Sequence, residues 1–78
     1  MREFEIRITS VRDVEEFVAL ATSRPFTVIL KDSHHQINGK SFMEMFCLDL
    51  SRPLTVAANC SEDAFQQFLR DADHFLVK

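Results

Sequence analysis

Two periodicities alternate along this chain, and their order leaves few ways to bury its apolar residues. Phe4, Ile6 and Ile8 alternate with Glu5, Arg7 and Thr9, the period of two that gives a strand one apolar face. Val14, Phe17, Val18 and Ala21 follow at i, i+3, i+4 and i+7, the stripe of an amphipathic helix. Ser10 precedes that stripe, with Asp13 three residues on, an approximate capping box in which Asp replaces Glu or Gln. Arg24-Pro25 ends the helix, because the residue before a proline avoids the helical region. Residues 26–31 read as a second strand, with Phe26, Val28 and Leu30 on one face. Asp32-Ser33-His34-His35 reads as a tight polar turn, and Gln36-Ile37 as a short third strand closed at Asn38-Gly39. Gly39 is the only glycine, and spending it here suggests a backbone angle that other residues tolerate poorly. Ser41-x-x-Glu44 is a regular capping box opening a short helix through Phe42, Met43, Met45, Phe46 and Cys47. After a connector at residues 48–53, Leu54, Val56 and Ala58 mark a fourth strand. Ser61 with Glu62 and Asp63 starts the last helix, whose inner face is Phe65, Phe68, Leu69, Ala72, Phe75 and Leu76.

The order is therefore βαββαβα. One apolar face per strand and three helix stripes pack most economically as one sheet covered by helices on one side. The first strand–helix–strand unit is expected to cross over right-handedly. A ferredoxin-like split unit shares the order of the first six elements, so periodicity alone leaves that arrangement open. With 78 residues the chain is expected to form one domain, residues 1–78, with a modest core.

Composition narrows the function classes. The net charge is −3 with both signs spread along the chain, and no basic cluster argues for nucleic acid. No apolar run approaches the roughly 20 residues that span a bilayer, and no N-terminal leader is visible, so no membrane partner and a cytoplasmic address are expected. Eight Phe with no Trp or Tyr give packing mass without polar tips, which weakens a saccharide- or base-stacking surface. Cys47 and Cys60 are single and far apart, and are expected to be reduced, buried thiols.

The passage from Gln36 to Met43 carries a resemblance. Its Lys40-Ser41-Phe42-Met43 is similar to the segment bearing the regulatory serine of the bacterial phosphocarrier HPr family. Leu48-Asp49-Leu50 resembles that family's Leu-Gly-Leu, with Asp for Gly, and Phe17-Val18 with Ala21 fits its first helix. The resemblance implies an α+β, HPr-like open-faced sandwich, a four-stranded antiparallel sheet with three helices on one face. It departs at the chemistry. The family joins its first strand to its first helix through Gly-Leu-His-x-Arg-Pro-Ala and carries phosphate on that histidine. Aligned back from Phe17, Ser10 takes the histidine position, Arg12 the arginine and Asp13 the proline. A carrier needs a nucleophilic imidazole at a helix N-terminus beside a cation, and a serine phosphoester transfers far less readily.

Two serines thus have a plain reading and a functional one. Ser10 and Ser41 are N-caps by their spacing. Ser10 occupies the carrier position, and Ser41 the regulatory position, where a phosphate would meet helix amides favourably. Arg12 and Lys40 are ordinary solvated charges or anion contacts. Phe42, Met45 and Phe46, with Met43, are too many large apolar residues for one face of a short helix. They suggest a docking surface for a protein partner or a second copy of the chain, or a helix wrapped by the connector. His34-His35 are adjacent, so they do not easily grip one metal, and no metal or cofactor is expected. His74 lies near a helix C-terminus, where positive charge is welcome. The leading expectation is a non-catalytic interaction or regulatory module docking through Ser10, Arg12, Ser41, Phe42, Met45 and Phe46. The alternative is a phosphotransferase-system carrier using a non-standard site, with Ser10, His34 or His35 as candidates. A metal- or small-anion-binding domain is the third.

Overall fold

The computed structural model describes residues 2–77. Its elements are β1 (Arg2–Ile6), α1 (Val11–Thr22), β2 (Val28–Lys31), β3 (Gln36–Asn38), α2 (Phe42–Met45), β4 (Leu54–Ala58) and α3 (Glu62–Asp71), followed by a 3-10 turn at Asp73–Phe75. The strands form one antiparallel sheet in the order β1-β4-β2-β3. β4 enters between β1 and β2, pairing Phe4 with Val56 and Val56 with Leu30. The sheet with its three helices is the α+β arrangement expected from the sequence.

Alternation sets the faces. Ile6, Val28, Leu30, Leu54, Val56 and Ala58 are buried against Val14, Phe17, Ala21, Met45, Phe65 and Phe68 in one core. Phe68 is its aromatic hub, meeting Phe4, Phe17 and Phe26 at ring-centroid distances of 5.5, 6.3 and 5.6 Å. The opposite sheet face carries Glu3, Glu5, Ile29, Lys31, Thr55 and Ala57, as the register requires. There Lys31 Nζ donates to Glu3 Oε2 at 2.7 Å, reaching across β4 over the row that holds Ala57. Ala57, in the middle strand of that face, is buried.

Several boundaries differ from the sequence reading. β1 stops at Ile6 because its partner Leu54 follows Pro53, where the chain leaves the ladder; Ile8 is buried from irregular backbone instead. β2 begins at Val28, and Phe26 turns out of the strand to meet Phe68 edge-on. The last helix breaks at Ala72 into the 3-10 turn, which keeps Phe75 in the core. Gly39 has no positive φ. Its small size is the requirement, since an added Cβ would lie 2.8 Å from Val28 Cγ1. The cysteines are free, as expected, but Cys47 is exposed and Cys60 half-buried. α2 is a single turn, and Cys47 lies just past it on the solvent side.

Candidate functional site

The start of α1 is built by three polar side chains, Thr9, Ser10 and Asp13. Ser10 adopts extended backbone and its Oγ accepts the Asp13 N–H at 3.1 Å. Asp13 turns back past Ser10, and its Oδ2 accepts from Thr9 N at 3.0 Å and Thr9 Oγ1 at 2.7 Å. The box thus closes on Thr9, the residue before the N-cap, rather than on the Ser10 N–H. The Thr9 hydroxyl, and next its backbone N–H, hold the Asp13 carboxyl below its ordinary range. Arg12 points away: its side chain is 86% exposed and its Nε lies 3.2 Å from Glu16 Oε1. His74 Nε2 approaches the same Glu16 at 3.6 Å.

Ser41 caps α2 by accepting Glu44 N–H at 3.4 Å, while its own N–H donates to Asn38 O. The box is therefore closed on one side only. Lys40 is spent structurally. Its Nζ donates to the Arg24 carbonyl at 2.7 Å and its N–H to Asn38 Oδ1 at 2.9 Å, so it ties the α1 exit to the β3 turn rather than facing an anion. Of the apolar residues on α2, Met45 is fully buried, which corrects its place on a docking surface. Its position on a one-turn helix aims it at the core. Phe42 is half-buried and meets Phe46 edge-on at 5.2 Å. Met43 is 76% exposed and Phe46 47%.

Phe46 also joins Ile8, Thr9, Ser10, Val11, Val14 and Leu50 around a cleft of about 240 Å³. The structure thus brings Ser10, Phe46 and the α1 start together, and leaves Lys40 and Met45 out. Val11, 57% exposed, was not singled out from the sequence; its place at the helix end uncovers it.

A second cleft gathers His34, His35, Cys47, Asp49 and Arg52 around Asp32. Asp32 accepts N–H groups from His34 (2.8 Å), His35 and, across the chain, Asp49 (2.9 Å). These bonds, the Asp49 N–H foremost, hold its carboxyl far below the ordinary range. The local turn was legible as an Asx motif; the link to Asp49 was not. Among the described residues, no group of three or more His, Cys, Asp or Glu is placed to hold a metal ion. No helix among them is long and apolar enough to cross a membrane.

An open antiparallel sandwich of this strand order, with its helices on one face, is the architecture of the HPr-type phosphocarriers. Two solved structures illustrate the likeness. HPr-C-His from Thermoanaerobacter tengcongensis superposes with a TM-score of 0.74 at 23% identity, over 92% of this chain and 90% of that one. A histidine-containing phosphocarrier protein from Mycoplasma gives 0.68 at 18% identity, over 99% of both chains. At these identities the likeness is one of fold. No protein-family model and no curated protein sequence matches the chain.

Proposed function

We propose that this chain is a non-catalytic, HPr-like interaction or regulatory module in a bacterial cytoplasm, working by docking a protein on the α1 start and α2. The observation that carries this reading is the filled N-terminus of α1. A phosphocarrier of this fold needs a nucleophile there, free helix amides and a cation to receive the phosphoryl group. Here Ser10 caps the Asp13 N–H, the Asp13 carboxylate sits on Thr9, and Arg12 is turned to Glu16. An incoming phosphoryl dianion would meet a carboxylate at close range instead of a cation.

The docking face rests on exposure. Four large apolar side chains are exposed among the described residues, and three of them, Val11, Met43 and Phe46, stand at the α1 start and α2. Ser10, Val11 and Phe46 line one cleft, and the proposed contact surface extends from it to Arg12, Ser41, Phe42 and Met43, apolar side chains with a polar rim. A protein partner is the occupant proposed, and a second copy of the chain is the other. Ser41 on that rim is the proposed regulatory position.

Incubation with phosphoenolpyruvate and the enzyme that charges HPr tests the non-catalytic half. No acid-labile phosphate is expected on this chain. Stoichiometric label that disappears on His34→Ala or His35→Ala would overturn it and move the site to the β2–β3 turn. For the docking half, proteins retained by the wild type from the native cytoplasm should be lost by the Met43→Glu, Phe46→Glu double variant. Equal retention by both would remove this face from the proposal.

A further inference from the structure

β3 closes the sheet on the side away from both ends of the described chain. Arg2 lies in β1, at the opposite edge, and Val77 N–H bonds to Glu5 O of that same strand. The register of β3 with β2 fixes which of its backbone groups face outward. Asp32 N–H donates to His35 O at 3.0 Å and Gly39 N–H to Val28 O at 2.8 Å, and Ile37 stands opposite Leu30 between these two pairs. N–H and C=O alternate sides along a strand, so His35, Ile37 and Gly39 bond inward, and Gln36 and Asn38 turn to the edge. The Asn38 carbonyl accepts the Ser41 N–H. The N–H and C=O of Gln36 and the N–H of Asn38 have no partner among the described residues.

The side chains at this edge sort by face. Ile37 is half-buried on the core side, while Gln36 and Asn38 are exposed on the other face, in the rows of Lys31 and Ile29. α2 packs beside β3, and its Glu44 joins Ile29 and all three β3 residues around a cleft of about 300 Å³. Glu44 is exposed and has no ion-pair partner among the described residues. β3 itself carries no charged side chain, so Glu44 is the charge that this edge presents.

The geometry points to strand addition at β3 by an extended segment of a partner protein that places a lysine or arginine between two uncharged polar residues. Running antiparallel, such a segment exchanges hydrogen bonds with Gln36 and Asn38 and sets its basic residue opposite Ile37, at the pair where side chains come closest. The basic stem covers Ile37 and its charge reaches the Glu44 carboxylate. The two neighbours of that residue point to the opposite face, beside the Gln36 and Asn38 amides. Charge also sets a second copy of the chain aside as the occupant. Pairing β3 with β3 about a two-fold axis at Ile37 would bring each Glu44 toward its own equivalent with no cation between them, a like-charge arrangement that opposes self-association. β3 is three residues long, so the contact is small and of low affinity. This edge shares no residue with the docking face at the α1 start and α2, and it stands or falls separately from that face.

The test titrates two synthetic peptides into the isotope-labelled full chain, Thr-Val-Thr-Lys-Thr-Val-Thr and the same peptide with Glu in place of Lys. The Lys peptide should bind saturably at submillimolar to millimolar concentration, shifting the backbone amides of Gln36, Asn38 and Glu44. The Glu peptide should bind about threefold to tenfold more weakly, the size of removing an exposed attraction and adding a repulsion. Glu44→Lys should reverse that preference. Gln36→Pro deletes an outward N–H without touching the β2 ladder and should abolish binding while amide dispersion elsewhere is kept; if the variant loses that dispersion, the Glu44→Lys reversal decides. Equal binding of both peptides by the wild type, an unreversed preference in Glu44→Lys, shifts centred on Val11 and Phe46, no saturable binding, or full binding by a folded Gln36→Pro would each overturn the proposal.

Discussion

At Asp32 one carboxylate accepts N–H groups from two segments, the β2–β3 turn and the connector before β4. Its folded pKa is depressed below the ordinary 3.8, so between those two values the unfolded chain binds more protons than the folded one. Its contribution to stability is therefore complete above about pH 4 and is lost as pH falls through that window toward the folded value. Asp32→Asn has no charge to offer three donors and should be less stable at neutral pH, with a flatter decline in acid. Denaturant midpoints for both proteins from pH 7 downward check this, and parallel pH profiles would show that Asp32 is not the titrating clasp. Gly39 makes a different argument. Gly39→Ala would gain about 0.4–1 kcal/mol from a stiffer unfolded chain, since no positive φ opposes it. The new methyl would press on Val28 Cγ1 and on the Val28 carbonyl, a stiff β-branched side chain and backbone, and such overpacking costs about 1–3 kcal/mol. The second effect wins, and a lowered melting temperature is the expected result; a raised one would mean that Val28 yields.

On the element scale, α1, α2 and α3 each begin with a serine whose hydroxyl accepts the N–H three residues on. α2 depends on its cap most, because one turn has little hydrogen bonding of its own. Ser41→Ala should cost about 0.5–2 kcal/mol, while Ser41→Asp should keep the fold, since Asp also caps and its charge suits the helix start. If Ser41 is a regulatory position, that same charge beside Phe42 and Phe46 should weaken a partner docking there with apolar or acidic groups. Pull-downs with wild type and Ser41→Asp, quantified by mass spectrometry, check the second half. Identical recovery would leave Ser41 a cap and nothing more. The element boundaries show where neighbours overrode local preference: Phe26 left its strand for Phe68, and Met45 left the surface for the core.

Across the whole molecule, Phe68 links β1, the loop before β2, and α1 through its ring contacts, and the Arg24 guanidinium lies 5.6 Å from its ring centre. Arg24 is itself anchored to Asp71. Phe68→Ala should cost about 3–5 kcal/mol, most of the roughly 5 kcal/mol at the lower end of native stabilities. A fall in melting temperature of about 12 °C or more should follow, at roughly 4–8 °C per kcal/mol for chains of this length. A small change would mean that the surrounding rings collapse into the space.

The sequence by itself determined the types of the strands and helices, their order, the three serine caps and the core stripes of α1 and α3. Those follow from spacing along the chain, and every interaction involved lies within four residues. What only the tertiary structure decided are the contacts between distant segments: Lys40 against the Arg24 carbonyl, Asp32 against Asp49, Phe26 against Phe68, and the exposure of Val11, Met43 and Cys47. β4 inserts between β1 and β2, although the chain makes it last of the four strands. That order is a choice among packings of the same apolar faces, and periodicity does not distinguish them. Burial belongs to an assembled core, so a residue's period tells which face it lies on, and only its neighbours tell whether that face is covered.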